Sequence, residues 1–128
     1  MANRVTWTDE THFVHDGIGE WMGTWDADKK KYVEINQENI DFAVKTIDLI
    51  LDKWGTHSAV YAIEPVNEPW WHSDISVLKG FYRRVRTLMK QRAPHLTFVF
   101  HDAFLTFGHV WNDLFEDDDH ENVVMDTH

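Results

Sequence analysis

Between residues 36 and 128, helical and strand-like apolar patterns take turns, and this alternation restricts the fold more than any other feature of the chain. Asn36 is suited to cap a helix, with Gln37 and Glu38 in a first turn where negative charge favours the helix dipole. Ile40, Ala43, Val44, Ile47, Ile50, Leu51 and Trp54 then recur at three- and four-residue spacing, and Gly55 stands where the helix should end. Residues 58–67, SAVYAIEPVN, read as a strand, weakened by Pro65, which has no N–H for a ladder. A second helix is predicted from Ser73 or Asp74, carrying Val77, Leu78, Phe81, Tyr82, Val85, Leu88 and Met89 and stopping at Ala93-Pro94. A strand at 96–102 (LTFVFHD), a short helix at 109–115 and a strand at 122–128 (NVVMDTH) follow. Alternation of this kind predicts a parallel sheet with crossover helices, an α/β fold. Residues 1–34 carry no clear period and read as an irregular N-terminal segment, separate from a domain over 35–128.

Composition narrows the function classes. Apolar residues are 43% of the 128, enough for a globular core, and no run approaches the ~20 apolar residues of a membrane helix. The formal charge of −10 argues against nucleic acid and anionic membrane surfaces as partners. With no cysteine, disulfides and thiolate metal sites are excluded. The first residues, MANRVTWTDETHFV, show no signal-peptide pattern, so the chain itself gives no support for secretion. Seven tryptophans, eight phenylalanines and three tyrosines are unusual. Most are expected in the core, with one or two tryptophan faces available to stack on sugar rings.

In parallel α/β folds, ligands sit at the carboxyl ends of the strands. Asn67-Glu68, His101-Asp102 and Asp126-Thr127-His128 all fall there. Strand ends are polar in any case, but three such clusters together point to one shared site. Glu64 and Glu68 invite pairing as two catalytic carboxylates. On an extended strand, however, they would stand about 13 Å apart at ~3.3 Å per residue. Glycosidase pairs need about 5–5.5 Å for retention or about 6.5–9.5 Å for inversion. Glu68, at the mouth, is therefore the candidate, and Glu64 reads as a carboxylate satisfied inside the sheet. The nine histidines lack H-E-x-x-H or similar spacing, so no metal is expected. The acidic stretch 116–121 lacks EF-hand chemistry and reads as a solvated loop. Neither a phosphate-binding loop nor a G-x-S-x-G elbow is present.

Asn67-Glu68-Pro69, preceded by Ile63-Glu64, resembles the fourth-strand signature of glycoside hydrolase family 5, a family of (β/α)8 retaining glycosidases. The run Phe100-His101-Asp102-Ala103-Phe104, then Phe107-Gly108, Trp111-Asn112 and Asn122 to His128, is similar in order and spacing to its exo-β-1,3-glucanase branch. The likeness extends from about Tyr32 to His128. It implies that Glu68 is the general acid/base and that Asn67 bonds the sugar 2-hydroxyl. It also implies that His128 lines the site and that His101 and Asp102 lie close to substrate, with Trp70, Trp71 and Trp111 as sugar-stacking candidates. A partly apolar strand end near a second carboxylate would suit an acid that must hold its proton at working pH. The resemblance further implies a β-glucan substrate, no cofactor and a secreted or cell-wall setting. The nucleophile of that family stands at the end of the seventh strand and its arginine on an early one; neither is recognisable here. A whole barrel takes about 250 residues, so the chain reads as a partial (β/α)8 barrel, middle strands and helices only. Its open edges would favour self-association. The alternative is a half-barrel that binds carbohydrate without cleaving it.

Overall fold

The computed structural model describes residues 21–105, 109–115 and 120–127. They form β1 (Gly23–Asp26), β2 (Lys31–Ile35), α1 (Gln37–Trp54), β3 (Ala62–Ile63), α2 (Ile75–Arg92), β4 (Thr97–His101) and β5 (Val123–Asp126). The last three strands make a parallel sheet in the order β3-β4-β5, with α2 as the crossover from β3 to β4. The chain is thus α/β with a small parallel sheet, and no closed barrel is formed among the described residues.

Both long helices start and stop where side-chain chemistry dictates. The Asn36 side chain accepts from the Asn39 N–H at 3.1 Å, and the Gly55 N–H closes α1 on the Leu51 carbonyl at 2.8 Å. Asp74 caps α2 by accepting from the N–H groups of Ser76 (3.0 Å) and Val77 (3.1 Å). Leu78, Phe81, Tyr82, Val85, Arg86 and Met89 form the buried stripe of α2. The stripe meets Phe98 and Phe100 of β4, which project to one face of the sheet. Tyr82, Phe98, Phe100, Trp111 and Phe115 pack ring against ring there, with centroids between 5.5 and 6.4 Å apart. Across the two helices, Arg84 pairs with Asp41, and Arg92 with Asp48 and Asp52.

Three expectations are corrected. The strand expected over 58–67 contracts to Ala62–Ile63. The N–H groups of Ala59 and Val60 fold back onto His57, which makes a turn of 57–60, and Pro65 ends the ladder from the other side. The short helix expected at 109–115 is a series of turns, with Asn112 N–H on His109 O and Leu114 N–H on Trp111 O. Arg83 of α2 takes the carbonyls of Asp113 and Leu114, and so short a segment gains too little to nucleate a helix. In the segment expected to be irregular, β1 and β2 pair as an antiparallel hairpin. Its turn is closed by Asp26, which accepts from the backbone N–H of Lys29 at 2.9 Å and pairs with its ammonium group. Gly23 permits the pairing, since a Cβ there would overlap the Glu34 carbonyl. Residues 1–20, the middle of the acidic loop and His128 lie outside the described residues.

Candidate functional site

Parallel pairing brings the carboxyl ends of β3, β4 and β5 to one edge of the sheet. His101 stands in register with Asp126, and the Asp102 N–H donates to the Asp126 carbonyl at 3.1 Å. The β3–α2 connection, residues 64–74, leaves from the same edge. Val66 and Pro69 are buried within it, Asn67 is exposed, and Glu68 is half-buried. Glu68 adopts φ 49°, a left-handed backbone that costs a non-glycine residue about 1–2 kcal/mol. Its neighbours fix it there, because the two buried anchors flank it and proline follows it. Since the chain leaves extended conformation after Ile63, the strand rise that set Glu64 and Glu68 about 13 Å apart does not apply to them.

His101 and Asp102, expected to face substrate, are buried and hold a turn. His101 Nδ1 accepts from the Ala103 N–H at 3.0 Å, and Asp102 Oδ1 accepts from the Phe104 N–H at 2.8 Å. Ala103 and Phe104 are both left-handed, with φ 53° and 61°. An Nδ1 that accepts from an amide carries no proton, so the neutral ring is protonated at Nε2. The 3.5 Å approach of Nδ1 to Asp102 Oδ1 is accordingly not an ion pair. Below this turn the Tyr82 hydroxyl donates to the His101 carbonyl at 3.0 Å. Burial pushes the Tyr82 phenol far above the ordinary tyrosine range, and the nearby charges of Glu64 and Asp102 push it further. Tyr82 therefore ties α2 to the end of β4. In the sequence it is one more member of an apolar stripe, and the only cue is that a buried phenol needs an acceptor.

The tryptophans divide by environment. Trp111 is half-buried on Tyr82 and Phe100, and its indole N–H donates to the Asp102 carbonyl at 3.2 Å. Trp70 is half-buried against Trp25 of the hairpin (centroids 4.8 Å) and His72 (4.9 Å). Trp25 in turn lies on His72, 5.1 Å away and tilted by 26°. Trp71 is 60% exposed, three residues beyond Glu68. Trp25 and His72 escaped sequence reasoning because they meet through tertiary packing, with 46 residues of chain between them and no local pattern. The hairpin also holds the start of α2: Met22 Sδ accepts from the Asp74 N–H at 3.3 Å, and Trp21 meets Phe81 edge-on at 5.2 Å. Tyr32, half-buried in β2 and near the Asp74 carboxylate, has its phenol pushed up to about 12.

The strand end therefore offers a half-buried carboxylate at Glu68, an exposed amide at Asn67, and buried acceptors on His101 and Asp102 that are committed to backbone N–H groups. Among the described residues, no group of three or more His, Asp or Glu is placed to hold a metal ion, and no helix is long and apolar enough to cross a membrane. No protein-family model matches the chain, and comparison with curated proteins finds no match.

Proposed function

We propose that this chain is the central part of a (β/α)8 retaining glycosidase acting on β-glucan, with Glu68 as the general acid/base. The observation that carries the reading is the left-handed Glu68, fixed between buried Val66 and Pro69 at the carboxyl end of a parallel strand. Left-handed backbone on a non-glycine residue clusters at active sites as well as in turns, and at Glu68 it supports the functional reading through the residue's place at the strand mouth. The exposed Asn67 amide beside it supplies the hydrogen bond to the sugar 2-hydroxyl that strengthens in the transition state. In the first displacement, the Glu68 carboxyl proton passes to the leaving glycosidic oxygen as a second carboxylate bonds to the anomeric carbon. In the next, the Glu68 carboxylate takes a proton from the water that displaces that second carboxylate. The second carboxylate belongs to a later barrel strand in this reading.

His101 and Asp102 act here as positioning residues, shaping the floor of the site through the Ala103–Phe104 turn. Glu68→Gln keeps the shape of the side chain and removes the transferable proton. In the complete enzyme it should cut hydrolysis of laminarin, whose leaving group is poor, by 10²-fold or more in kcat, the order associated with general acid–base catalysis. Thermal unfolding should be little changed. Laminarin turnover at the wild-type rate by this variant sinks the assignment.

A further inference from the structure

A cleft of about 800 Å³ is formed where the hairpin meets the start of α1. Thr24, Trp25, Glu34, Asn36, Gln37 and Glu38 are prominent in its lining. Its size lies within the range of small-ligand sites. We infer that this cleft is an accessory subsite for a neutral oligosaccharide; the choice of a β-glucan as that ligand rests on the hydrolase reading above.

The chemistry of the walls supports this class of ligand. Trp25 contributes an aromatic surface of the kind on which the C–H groups of a sugar ring pack. Glu34 and Glu38 are exposed carboxylates that can each accept from a pair of vicinal hydroxyls. Gln37 donates one amide N–H to Asp41, and its carbonyl oxygen can accept. Acceptors on Glu34, Glu38 and Gln37 beside donor-bearing side chains on Thr24 and Asn36 fit a ligand rich in hydroxyl groups, and a chain of charge −10 disfavours phosphorylated or uronic acid ligands.

Ring packing links the cleft to the β3–α2 connection. Trp25 is fixed by Tyr32, Trp70 and His72, and Trp70 is two residues from Glu68. The Ser73 N–H closes the Trp70–Ser73 turn on the Trp70 carbonyl at 2.7 Å, which presents exposed Trp71 on a fixed support.

The test is calorimetric titration of the full chain with laminarihexaose and, separately, with hexagalacturonate. Saturable binding of laminarihexaose is expected, with hexagalacturonate at least tenfold weaker. The exposed pair Glu34→Ala/Glu38→Ala should weaken laminarihexaose at least tenfold with an unchanged melting temperature. In ¹H–¹⁵N spectra the Trp25 indole and Thr24 amide should shift on titration. Affinity within twofold of wild type in the double variant, no saturable binding of laminarihexaose, or equal affinity for hexagalacturonate overturns the inference. Glu68-dependent hydrolysis with no cleft binding removes this subsite alone. Cleft binding without Glu68-dependent hydrolysis removes the hydrolase reading and leaves the binding site standing.

Discussion

Two connections flank the candidate site, and they are held by opposite means. The β4–β5 connection is pinned by cations of α2: Arg83 on the Asp113 and Leu114 carbonyls, Arg86 on the Glu121 carbonyl, and Lys79 on the Asp113 carboxylate. The side chains at its start, His101 and Asp102, are themselves spent on backbone N–H groups. The β3–α2 connection is held by rings, with Trp70 and His72 packed on Trp25, and by the buried Val66 and Pro69. Ring packing and buried side chains hold this connection, with Asn67 exposed and Glu68 half-buried between Val66 and Pro69. The contrast is between a connection held by charge and one held by packing.

The largest expected effect comes from removing the rings. Trp25→Ala deletes contacts to Tyr32, Trp70 and His72 and should cost about 2–3 kcal/mol, toward the low end for tryptophan truncation because the ring is half-buried. Hydrogen exchange should rise at 70–74 and stay unchanged at 109–115. Equal loosening of both connections would break the comparison. Arg86→Ala is the converse. Arg86 is 4% exposed, and its loss removes a charge-assisted bond worth about 2 kcal/mol. Exchange should then rise at 120–122 and leave 64–74 protected.

The smallest effect is an alkaline one. Tyr32 and Tyr82 both have phenols raised above the ordinary 10.0, by burial first and nearby carboxylates second. A raised native value means that the folded chain holds protons the unfolded chain releases. The stability this confers is intact below pH 10 and is lost as pH climbs toward about 12, where Tyr32 titrates. Absorbance at 295 nm followed together with circular dichroism should show Tyr32 ionising before the fold melts, and Tyr82 ionising only with melting. Simultaneous ionisation of both in the native state would contradict the difference in their burial.

How much of this was legible in the sequence follows from which interactions are local. The periods and caps of α1 and α2 are local, so Asn36, Asp74 and Ala93 mark real helix ends. The parallel pairing of β3 with β4 follows from the alternation of elements across α2, whereas β4 and β5 pair in parallel without the helix expected between them. The hairpin was hidden because Trp25 and Tyr32 stand in a stretch with no alternation, and a bulge between Thr24 and Trp25 disturbs its register. The extended reading of 58–67 failed because the folding of Ala59 and Val60 onto His57 leaves no periodic trace. His101 and Asp102 resembled substrate ligands because imidazole and carboxylate at a strand end fit a ligand and a turn cap equally well. The bonds that they accept from the Ala103 and Phe104 N–H groups assign them to the turn. Nothing local announces the left-handed Glu68 either, which depends on Val66 and Pro69 being buried.

The central claim is that Glu68 transfers the proton in both displacements, and chemical rescue tests it most directly. Glu68→Ala in the complete enzyme should still form the glycosyl-enzyme from 2,4-dinitrophenyl β-glucoside, whose leaving group needs no acid, and then stall for want of a base. Azide, a nucleophile that needs no deprotonation, should restore turnover at least tenfold and yield β-glucosyl azide. Undiminished laminarin hydrolysis by this variant, or turnover of the activated glucoside that azide neither accelerates nor diverts into the β-azide, would contradict the account.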